Sequence, residues 1–300
     1  MNAGLRTIAE GRWLLYPTEA PAGTEALGPY ELEVARDAPP SPARGLIAFS
    51  HGGGSTPWVH RGLLSELARR GYAVVALEHP GNNRRDNRLQ TADGVPLLEN
   101  LEARPRDLRD AIDAALALTG ELPVAAIGES LGGYTVLALA GGLARTFPDD
   151  VPHARRLAPD ADALRSVIRV ATPRDPRIRA VVLLSPALPF FLAPGALAEV
   201  TAPILVRLGA LDAVTPPAQA RAALRELEVE LAEVAGAGHF SFQTPFPAAL
   251  AHLPPAQDPP GFDRAGYQAT LHDDVASFLG RALDAATTTA VRSSESGPRR

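Results

Sequence analysis

Continuous apolar runs alternate with amphipathic segments along most of the chain. The apolar runs cover residues 45–51, 72–79, 123–128, 178–185 and 202–209. A strand inside a parallel sheet is buried on both faces, so its sequence is apolar at successive positions rather than at every second one. Between these runs, apolar residues recur at helical spacing over 61–70, 105–118, 131–143, 217–227 and 267–284. This alternation predicts an α/β fold in which helices cover both faces of a mostly parallel central sheet.

The pattern is less regular toward both ends of the chain. Residues 12–17 and 30–36 predict two opening strands, and the alternating polarity of the second is typical of an exposed position. Residues 226–236 predict the last strand. Pro105 is expected in the first turn of helix 105–118, where its missing N–H costs nothing because that amide would have no helical partner.

Two polar stretches and a tail interrupt this organisation. Residues 144–177 are rich in arginine and aspartate, and residues 244–266 contain six prolines. We expect both to pass over one edge of the sheet, the first as a small cap insertion and the second as a proline-rich loop. Residues 285–300 are polar and of low complexity, which predicts a disordered tail after a single domain over residues 1–284.

The composition is that of a globular protein, and it excludes several kinds of chemistry. Of the 300 residues 46% are hydrophobic and 21% charged, and the formal net charge of −5 comes without a basic stripe, so no nucleic-acid partner is expected. All 29 basic residues are arginine and no cysteine is present. A Schiff-base lysine, a Walker-type phosphate loop and a thiol nucleophile are therefore excluded. With no signal-peptide pattern and no run of about 18 apolar residues, we expect a cytoplasmic protein that does not engage membranes.

A short turn, Gly128-Glu129-Ser130-Leu131-Gly132, joins the strand predicted at 123–128 to the following helix. A serine hydroxyl is a poor nucleophile until a base removes its proton, so it must stand clear of the backbone to meet one. The two glycines give neighbouring backbone room to pass closely, and the helix start offers free N–H groups to a developing oxyanion. A glycine-rich turn with a surface serine has the same pattern, but the flanking strand and helix favour a nucleophile elbow.

An acid and a histidine follow later predicted strands, in the order that a nucleophile elbow requires. Asp212 comes just after the strand ending at 209, and His239 lies in a short loop after the strand ending at 236. Asp212 could instead form a turn ahead of Pro216, but its pairing with His239 favours catalysis. His252 and His272 are expected to be surface or packing residues.

A glycine-rich loop, "SHGGGSTPW" at 50–58, follows the strand at 45–51 and predicts an anion site. We expect the oxyanion hole to consist of the backbone N–H groups of Gly53 and Leu131, with a possible shift of register to Gly52 or Gly54. Such a loop could cradle a phosphate, but it lacks both the G-x-G-x-x-G spacing and a lysine.

Several stretches of the chain, in this order, resemble one family: "SHGGG", "EHPGNN", "RPRDL", "GESLGG", "ALDAVTP" and "GHFSF". They are similar to α/β-hydrolases of the dienelactone-hydrolase and platelet-activating-factor-acetylhydrolase-like branch, over roughly residues 12–284. The resemblance implies the α/β-hydrolase fold and supports Ser130, Asp212 and His239 as a catalytic triad. Small dienelactone hydrolases use a cysteine nucleophile, which this chain lacks, so lactone chemistry is not implied.

Candidate substrate contacts are less specific. His79 and Arg85 lie in "EHPGNNRRDNR" (78–88), which follows a predicted strand and could reach substrate or could simply form a structural turn. Trp58, Phe240 and Phe242 flank the proposed oxyanion loop and histidine, so they are expected either to wall an acyl pocket or to belong to the core. No histidine–carboxylate cluster has metal-ligand spacing, so neither a metal nor a cofactor is expected.

These observations leave three functions open. The first is a serine esterase acting on a small-molecule ester, and the second is a peptidase, thioesterase, acyl transferase or cyclase with the same triad. The third is a binding module on a hydrolase scaffold, which an intact triad and oxyanion loop disfavour. We therefore expect a serine hydrolase that cleaves carboxylic esters of small soluble substrates; the sequence does not indicate an oligomeric state.

Overall fold

The structure, a computed structural model, describes residues 1–146 and 168–295. The strands in this part of the chain are β1 (Asn2–Ala9), β2 (Arg12–Thr18), β3 (Gly23–Leu27), β4 (Tyr30–Arg36), β5 (Leu46–Ser50), β6 (Ala73–Leu77), β7 (Val124–Glu129), β8 (Arg145–Thr146), β9 (Ile168–Arg169), β10 (Ile178–Leu184), β11 (Ile204–Gly209) and β12 (Glu230–Val234). The α-helices are α1 (Arg61–Arg69), α2 (Leu98–Thr119), α3 (Leu131–Leu139), α4 (Pro217–Leu224) and α5 (Arg264–Glu295).

The central sheet is mostly parallel, as the apolar runs predict. Its strand order is β12-β11-β10-β7-β5-β6-β2-β1-β4-β3, and neighbouring strands from β12 to β6 are parallel. β2 runs antiparallel to both β6 and β1. The carboxyl ends of β5, β7, β11 and β12 therefore lie at one edge of the sheet, and the loops that follow them can meet there.

Two hydrophobic cores cover the two faces of this sheet. In β5, Leu46 and Ala48 face the core that contains α2, α3 and α4, whereas Ile47 and Phe49 face the core that contains α1 and α5. Successive side chains of a strand point to opposite faces, so both must be apolar when both faces are covered. Each fully buried Leu, Ile or Phe side chain contributes roughly 1.5–3 kcal/mol to this packing.

The prediction that Pro105 begins a helix is wrong. Helix α2 starts at Leu98, so Pro105 lies in its interior and has no N–H to donate to the carbonyl of Leu101. The hydroxyl of Tyr134, on the neighbouring helix α3, donates to that carbonyl at 2.8 Å. Tertiary contact thus supplies the hydrogen bond that the proline removes, and the helix continues.

Both ends of the domain differ from the sequence prediction. Strands β1 and β3 were not expected. In β1 the ring of Tyr16 occupies the space beside Gly4, where a Cβ would lie 2.3 Å from Cε2 of that ring. The strand therefore needs a glycine at this position, which the hydrophobic pattern of the sequence does not indicate. The last helix continues past the predicted boundary at 284 to Glu295, since no glycine or proline interrupts it before Gly297.

Of the two predicted excursions, the first is described in part and the second in full. Residues 147–167 of the proposed cap at 144–177 lie outside the described residues, and the flanking strands β8 and β9 pair with each other. Residues 244–266 form short 3-10 turns at Ala248–Leu250 and Pro254–Ala256 before α5 begins. This proline-rich loop contributes Phe246, Leu253 and Pro255 to a cleft at the carboxyl edge of the sheet.

Candidate active site

Ser130 lies at the apex of the turn between β7 and α3. Its backbone has φ 52° and ψ −121°, a left-handed conformation that costs a non-glycine residue on the order of 1–3 kcal/mol. The turn is possible because of its glycines: a Cβ on Gly128 would lie 2.2 Å from the carbonyl oxygen of Gly132, and one on Gly132 would lie 1.9 Å from that of Ser50. The strained turn holds the serine side chain above the sheet edge.

The structure brings Ser130, Asp212 and His239 together from three separate loops. His239 Nε2 lies 3.0 Å from Ser130 Oγ, and His239 Nδ1 lies 2.8 Å from Asp212 Oδ2. Asp212 follows β11 and His239 follows β12, and both side chains are buried while Ser130 is half-buried. This is the geometry in which an imidazole can accept a proton from a serine while a carboxylate orients its other nitrogen.

Asp212 is held in place by the turn that follows it. Its Oδ1 accepts hydrogen bonds from the amides of Val214 and Thr215, each at 2.8 Å, so the alternative interpretation as a turn-forming aspartate is also correct. Burial raises the pKa of this carboxyl, but hydrogen bonding to His239 and Thr215 outweighs burial and holds the pKa below its ordinary value. The carboxylate is therefore ionised near neutral pH and favours a proton on His239 Nδ1.

Thr215 is a site residue that sequence reasoning missed. Its hydroxyl lies 2.8 Å from Asp212 Oδ2, 3.1 Å from His239 Nδ1 and 3.1 Å from the carbonyl oxygen of Ser185. The Asp-x-x-Thr spacing, in which the aspartate accepts from backbone amides further along the turn, was the available signal.

The glycine-rich loop after β5 lies against the start of α3. The amide of Gly52 donates to Glu129 Oε2 at 3.0 Å, so it is not free for an oxyanion. The amides of Gly53 and Leu131 have no hydrogen-bond partner within residues 1–146 and 168–295. These two residues are neighbours, because a Cβ on Gly53 would lie 3.6 Å from Leu131 Cδ2.

The orientation of the Gly52–Gly53 peptide is set by His51. Nδ1 of His51 lies 2.7 Å from the carbonyl oxygen of Gly52, and Nε2 accepts the amide of His79 at 3.2 Å, so the proton belongs on Nδ1. Burial lowers the pKa of His51 well below its ordinary value, which keeps the ring neutral. Because C=O and N–H point in opposite directions across a trans peptide, this bond turns the Gly53 N–H away from the His51 ring.

A cleft of about 250 Å³ opens beside Ser130. Phe240, predicted as a substrate contact, is among its walls, and so are Ser130, Gly53 and His239. The other side chains and backbone groups that line it are Tyr30, Gly52, Gly54, Ser55, Thr56, Val59, Arg84, Glu129, Gln243, Phe246, Leu253 and Pro255.

Two predicted substrate contacts, Trp58 and His79, do not line this cleft. Residues 57–60 form a 3-10 turn that buries Trp58 against Trp13, with ring centroids 4.9 Å apart, and exposes Val59 to the cleft instead. His79 is fully buried, with Nε2 2.9 Å from Ser50 Oγ and Nδ1 3.3 Å from Asp107 Oδ2. Burial lowers its pKa well below the ordinary value, so His79 is a neutral packing residue.

The remaining aromatic and basic candidates also fall outside the cleft. Phe242 is buried in the core against Tyr267, with ring centroids 6.0 Å apart. Arg85 is exposed and pairs with Glu78 at 2.8 Å. His252 is exposed and His272 is half-buried in α5, as expected for surface and packing residues.

Arg104, within the quoted "RPRDL", is fully buried behind the glycine-rich loop. Its guanidinium donates to Thr135 Oγ1 at 3.0 Å, to Asn82 Oδ1 at 2.7 Å and to the carbonyl oxygen of His51. Burial lowers the pKa of Arg104 to about 9, which still leaves it protonated near neutral pH. Arg104 therefore joins helix α3 to the loops after β5 and β6, a role that its position in the sequence did not indicate.

Glu129 is a second buried charge that sequence reasoning missed. It is 1% exposed and directly precedes Ser130. Burial raises the pKa of its carboxyl, but the electrostatic influence of His60 and His239 and a hydrogen bond from Gln243 hold the pKa below its ordinary value. His60 Nε2 lies 3.9 Å from Glu129 Oε2, which is an electrostatic contact and too long for a hydrogen bond.

In the described part of the chain, no group of three or more His, Cys, Asp or Glu side chains could hold a metal ion. Each described helix is too short or too polar to form a transmembrane span.

The fold and the loops at the carboxyl edge of its sheet are those of an α/β hydrolase. The model of the alpha/beta hydrolase family matches residues 47–253, more than half of the chain, and the chain therefore belongs to this family. The predicted fold class is thereby confirmed. No curated protein matches the chain.

Solved structures with the same fold are distant in sequence. A ferulic acid esterase from Streptomyces cinnamoneus is similar at 20% identity and a TM-score of 0.57, over 91% of this chain and 82% of that one. A puromycin-hydrolyzing peptidase from Mycobacterium tuberculosis is similar at 16% identity and a TM-score of 0.51 over 91% of this chain, which spans only 37% of the peptidase. A dienelactone hydrolase from Anabaena variabilis ATCC 29413 aligns at 19% identity and a TM-score of 0.47, over 94% of this chain and 97% of that one. The likenesses to the esterase and the peptidase concern the fold alone. Membership in the dienelactone-hydrolase-like branch stays a prediction.

Proposed function

We propose that this protein is a serine hydrolase that cleaves carboxylic esters of small soluble substrates. The observation that carries the proposal is the continuous line of contacts from Ser130 Oγ through His239 to Asp212, with spacings of 3.0 and 2.8 Å. Ser130 lies in a strained turn and lines the cleft, so its hydroxyl can contact a bound substrate.

In acylation, Ser130 Oγ attacks the acyl carbon while its proton passes to His239 Nε2. The carbonyl oxygen becomes an oxyanion, which accepts hydrogen bonds from the amides of Gly53 and Leu131. When the tetrahedral intermediate collapses, the C–O bond to the alcohol breaks and the leaving oxygen takes the proton from His239. Asp212 stabilises the imidazolium between these two proton transfers.

In deacylation, water replaces the alcohol. His239 takes a proton from water, and the resulting hydroxide attacks the acyl carbon of the Ser130 ester. The second intermediate collapses when the bond to Ser130 Oγ breaks and the serine regains its proton from His239. The free acid leaves and the enzyme returns to its starting state.

The dimensions of the cleft support a compact substrate. Its volume of about 250 Å³ is below the range of roughly 300–1,000 Å³ that is usual for drug-sized ligands. The apolar side chains of Phe240, Phe246 and Leu253 line it, which suits a short acyl group. The sequence of the excursion at 144–177 is rich in arginine and aspartate together, and aromatic residues make up only 5% of the chain, a composition that favours a soluble substrate over a lipid surface.

The experiment that tests the proposal is hydrolysis of p-nitrophenyl acetate by wild type and Ser130→Ala. We expect the variant to lose at least about 10³-fold in kcat with its circular dichroism unchanged, and to lose labelling by a fluorophosphonate probe. Ser277→Ala, at an exposed position of α5, is the matched control and keeps full activity. Near-wild-type turnover by Ser130→Ala would contradict the proposal.

The same assay separates the other uses of this triad. A p-nitroanilide and a thioester with the same acyl group are offered alongside the ester, because peptidases and thioesterases share the acyl-enzyme step. We expect kcat/KM to be highest for the oxygen ester. A higher kcat/KM for the anilide or the thioester would indicate a peptidase or a thioesterase that uses the same triad.

A further inference from the structure

Glu129 connects the segments that carry the proposed machinery. Its backbone is continuous with Ser130, its Oε2 accepts the amide of Gly52 at 3.0 Å, and its Oε1 accepts Nε2 of Gln243 at 3.1 Å. Gly52 directly precedes Gly53, and Gln243 lies in the segment that follows His239. The buried carboxylate of Glu129, the residue next to Ser130, therefore hydrogen-bonds both to the glycine-rich loop and to the segment after His239.

We propose that Glu129 is a positioning residue that holds Gly52 and so, together with His51, preorganises the Gly53 N–H in the next peptide for the oxyanion; this rests on the proposed function. Glu129 holds the N–H of Gly52, in the His51–Gly52 peptide, and His51 holds the carbonyl oxygen of Gly52, in the Gly52–Gly53 peptide, so the two peptide units that flank Gly52 are both fixed. A donor held in advance needs no reorganisation when charge develops, which is the source of its catalytic effect.

The chemistry of position 129 follows from its two partners. The Gly52 amide is a donor, and so is Nε2 of Gln243 in its present orientation, so the position now meets a donor at each terminal atom and a carboxylate accepts from both. Burying a carboxylate costs several kcal/mol unless hydrogen bonds and nearby charge compensate it. The hydrogen bonds from the Gly52 amide and from Gln243 Nε2 therefore explain why the buried Glu129 side chain can remain ionised.

A neutral side chain can restore both contacts under one condition. In Glu129→Gln, the amide oxygen can accept from Gly52 if the new NH₂ group faces Gln243 and the Gln243 amide flips to present its oxygen. Oε1 of Gln243 has no other partner among the described residues, so the flip breaks no hydrogen bond there. Glu129→Gln thus keeps the geometry and removes the charge, whereas Glu129→Met is of similar length and removes both contacts.

The test compares catalysis with binding of a transition-state analogue. A trifluoromethyl ketone forms a hemiketal with the serine and places its oxygen where the oxyanion develops, so its Ki measures the oxyanion hole. For Glu129→Met we expect kcat for p-nitrophenyl acetate to fall about 10- to 100-fold, at most the lower end of the roughly 10²- to 10³-fold loss seen when an oxyanion donor itself is removed, with KM little changed. The trifluoromethyl ketone Ki should rise by the same factor, and Glu129→Gln should recover most of both losses.

The control is Asp175→Asn, which removes a buried carboxylate near the opposite edge of the sheet. Asp175 is paired with Arg177 close to the start of β10, so this variant is expected to lose stability without any change in kcat or Ki. Gln243→Leu breaks only the second contact of Glu129, and we expect a smaller fall in kcat with a parallel rise in Ki. If Glu129→Met does not fold, Gln243→Leu provides a second test of the positioning role of Glu129.

Two results would overturn the proposal. In the first, kcat and Ki of Glu129→Met, or of Gln243→Leu if the methionine variant does not fold, stay within twofold of wild type. In the second, kcat falls while Ki is unchanged, which places the effect outside the oxyanion hole. Failure of the proposed function is distinct, because the wild type would then not hydrolyse the ester or Ser130→Ala would match it.

Discussion

The hydroxyl of Tyr134 stabilises helix α2 at its internal proline, and this can be measured. The carbonyl of Leu101 receives no helical hydrogen bond because Pro105 has no N–H, and Tyr134 Oη donates to it at 2.8 Å. Leu101 and Tyr134 are both 0% exposed, so water cannot replace the donor. Burial raises the pKa of Tyr134, which keeps its hydroxyl protonated.

Tyr134→Phe removes this donor and little else. The ring contacts with Phe190 and Phe191, at centroid distances of 4.9 and 5.7 Å, are kept by phenylalanine. The loss leaves a buried carbonyl without a partner, which costs about 1–3 kcal/mol of unfolding free energy. In the Pro105→Ala background, the new N–H can donate to Leu101, so the same substitution should cost only about 0.5 kcal/mol.

Urea denaturation of the four proteins in this double-mutant cycle measures the coupling. Far-UV circular dichroism and the emission of Trp13 and Trp58 should give coincident transitions with unchanged m-values, so that shifts in midpoint report stability. We expect a coupling energy of about 1 kcal/mol or more between positions 105 and 134. An equal cost of Tyr134→Phe in both backgrounds would contradict this prediction, because the hydroxyl would then not be replacing the missing amide.

Three further predictions concern the proposed base, the substrate and pH. His239→Gln should lower kcat by at least about 10³-fold, whereas His252→Gln and His272→Gln should stay close to wild type, and a reversed order would show that another histidine is the base. p-Nitrophenyl esters of two to about six acyl carbons should be preferred over long-chain esters, since each misfitting methylene costs roughly 1–3 kcal/mol. No rate increase is expected at the micellar threshold, and a preference for palmitoyl esters would contradict this prediction. Arg177 holds the pKa of Asp175 below its ordinary value despite burial, which alone would raise it, so this carboxylate contributes stability above about pH 4 that is lost as the pH falls. Thermal unfolding between pH 7 and pH 3 should therefore show a smaller acid-side loss in Asp175→Asn than in wild type, and equal losses would count against the pair.

The arrangement around Ser130 concentrates strain and buried charge at one edge of the sheet. The left-handed serine, the ionised Glu129 and the buried guanidinium of Arg104 all cost free energy where they lie. The hydrogen-bond partners of Arg104 and Glu129 lie in helix α3 and in loops that are distant in the chain. Such local costs are expected where a structure preorganises a site, because the surrounding core over-determines the geometry.

The fold class and the loops that meet at the site could be predicted from the sequence alone. Apolar runs identify strands buried on both faces, and parallel strands place their carboxyl ends at one edge, so the order Ser130, Asp212, His239 was enough to predict their convergence. The glycines at 128 and 132 could be recognised in advance because only a residue without Cβ fits so close to neighbouring backbone.

The directions of the neighbouring side chains and their hydrogen-bond partners could not be predicted from the sequence and follow from the tertiary packing. The 3-10 turn at 57–60 puts Val59 in the cleft and Trp58 in the core, a one-residue difference that the apolar pattern cannot resolve because both residues are apolar. The roles of Arg104 and Glu129 depend on partners distant in the chain, and no local pattern records them. Periodicity encodes burial along one element, whereas hydrogen bonds between loops depend on the packing of several elements at once.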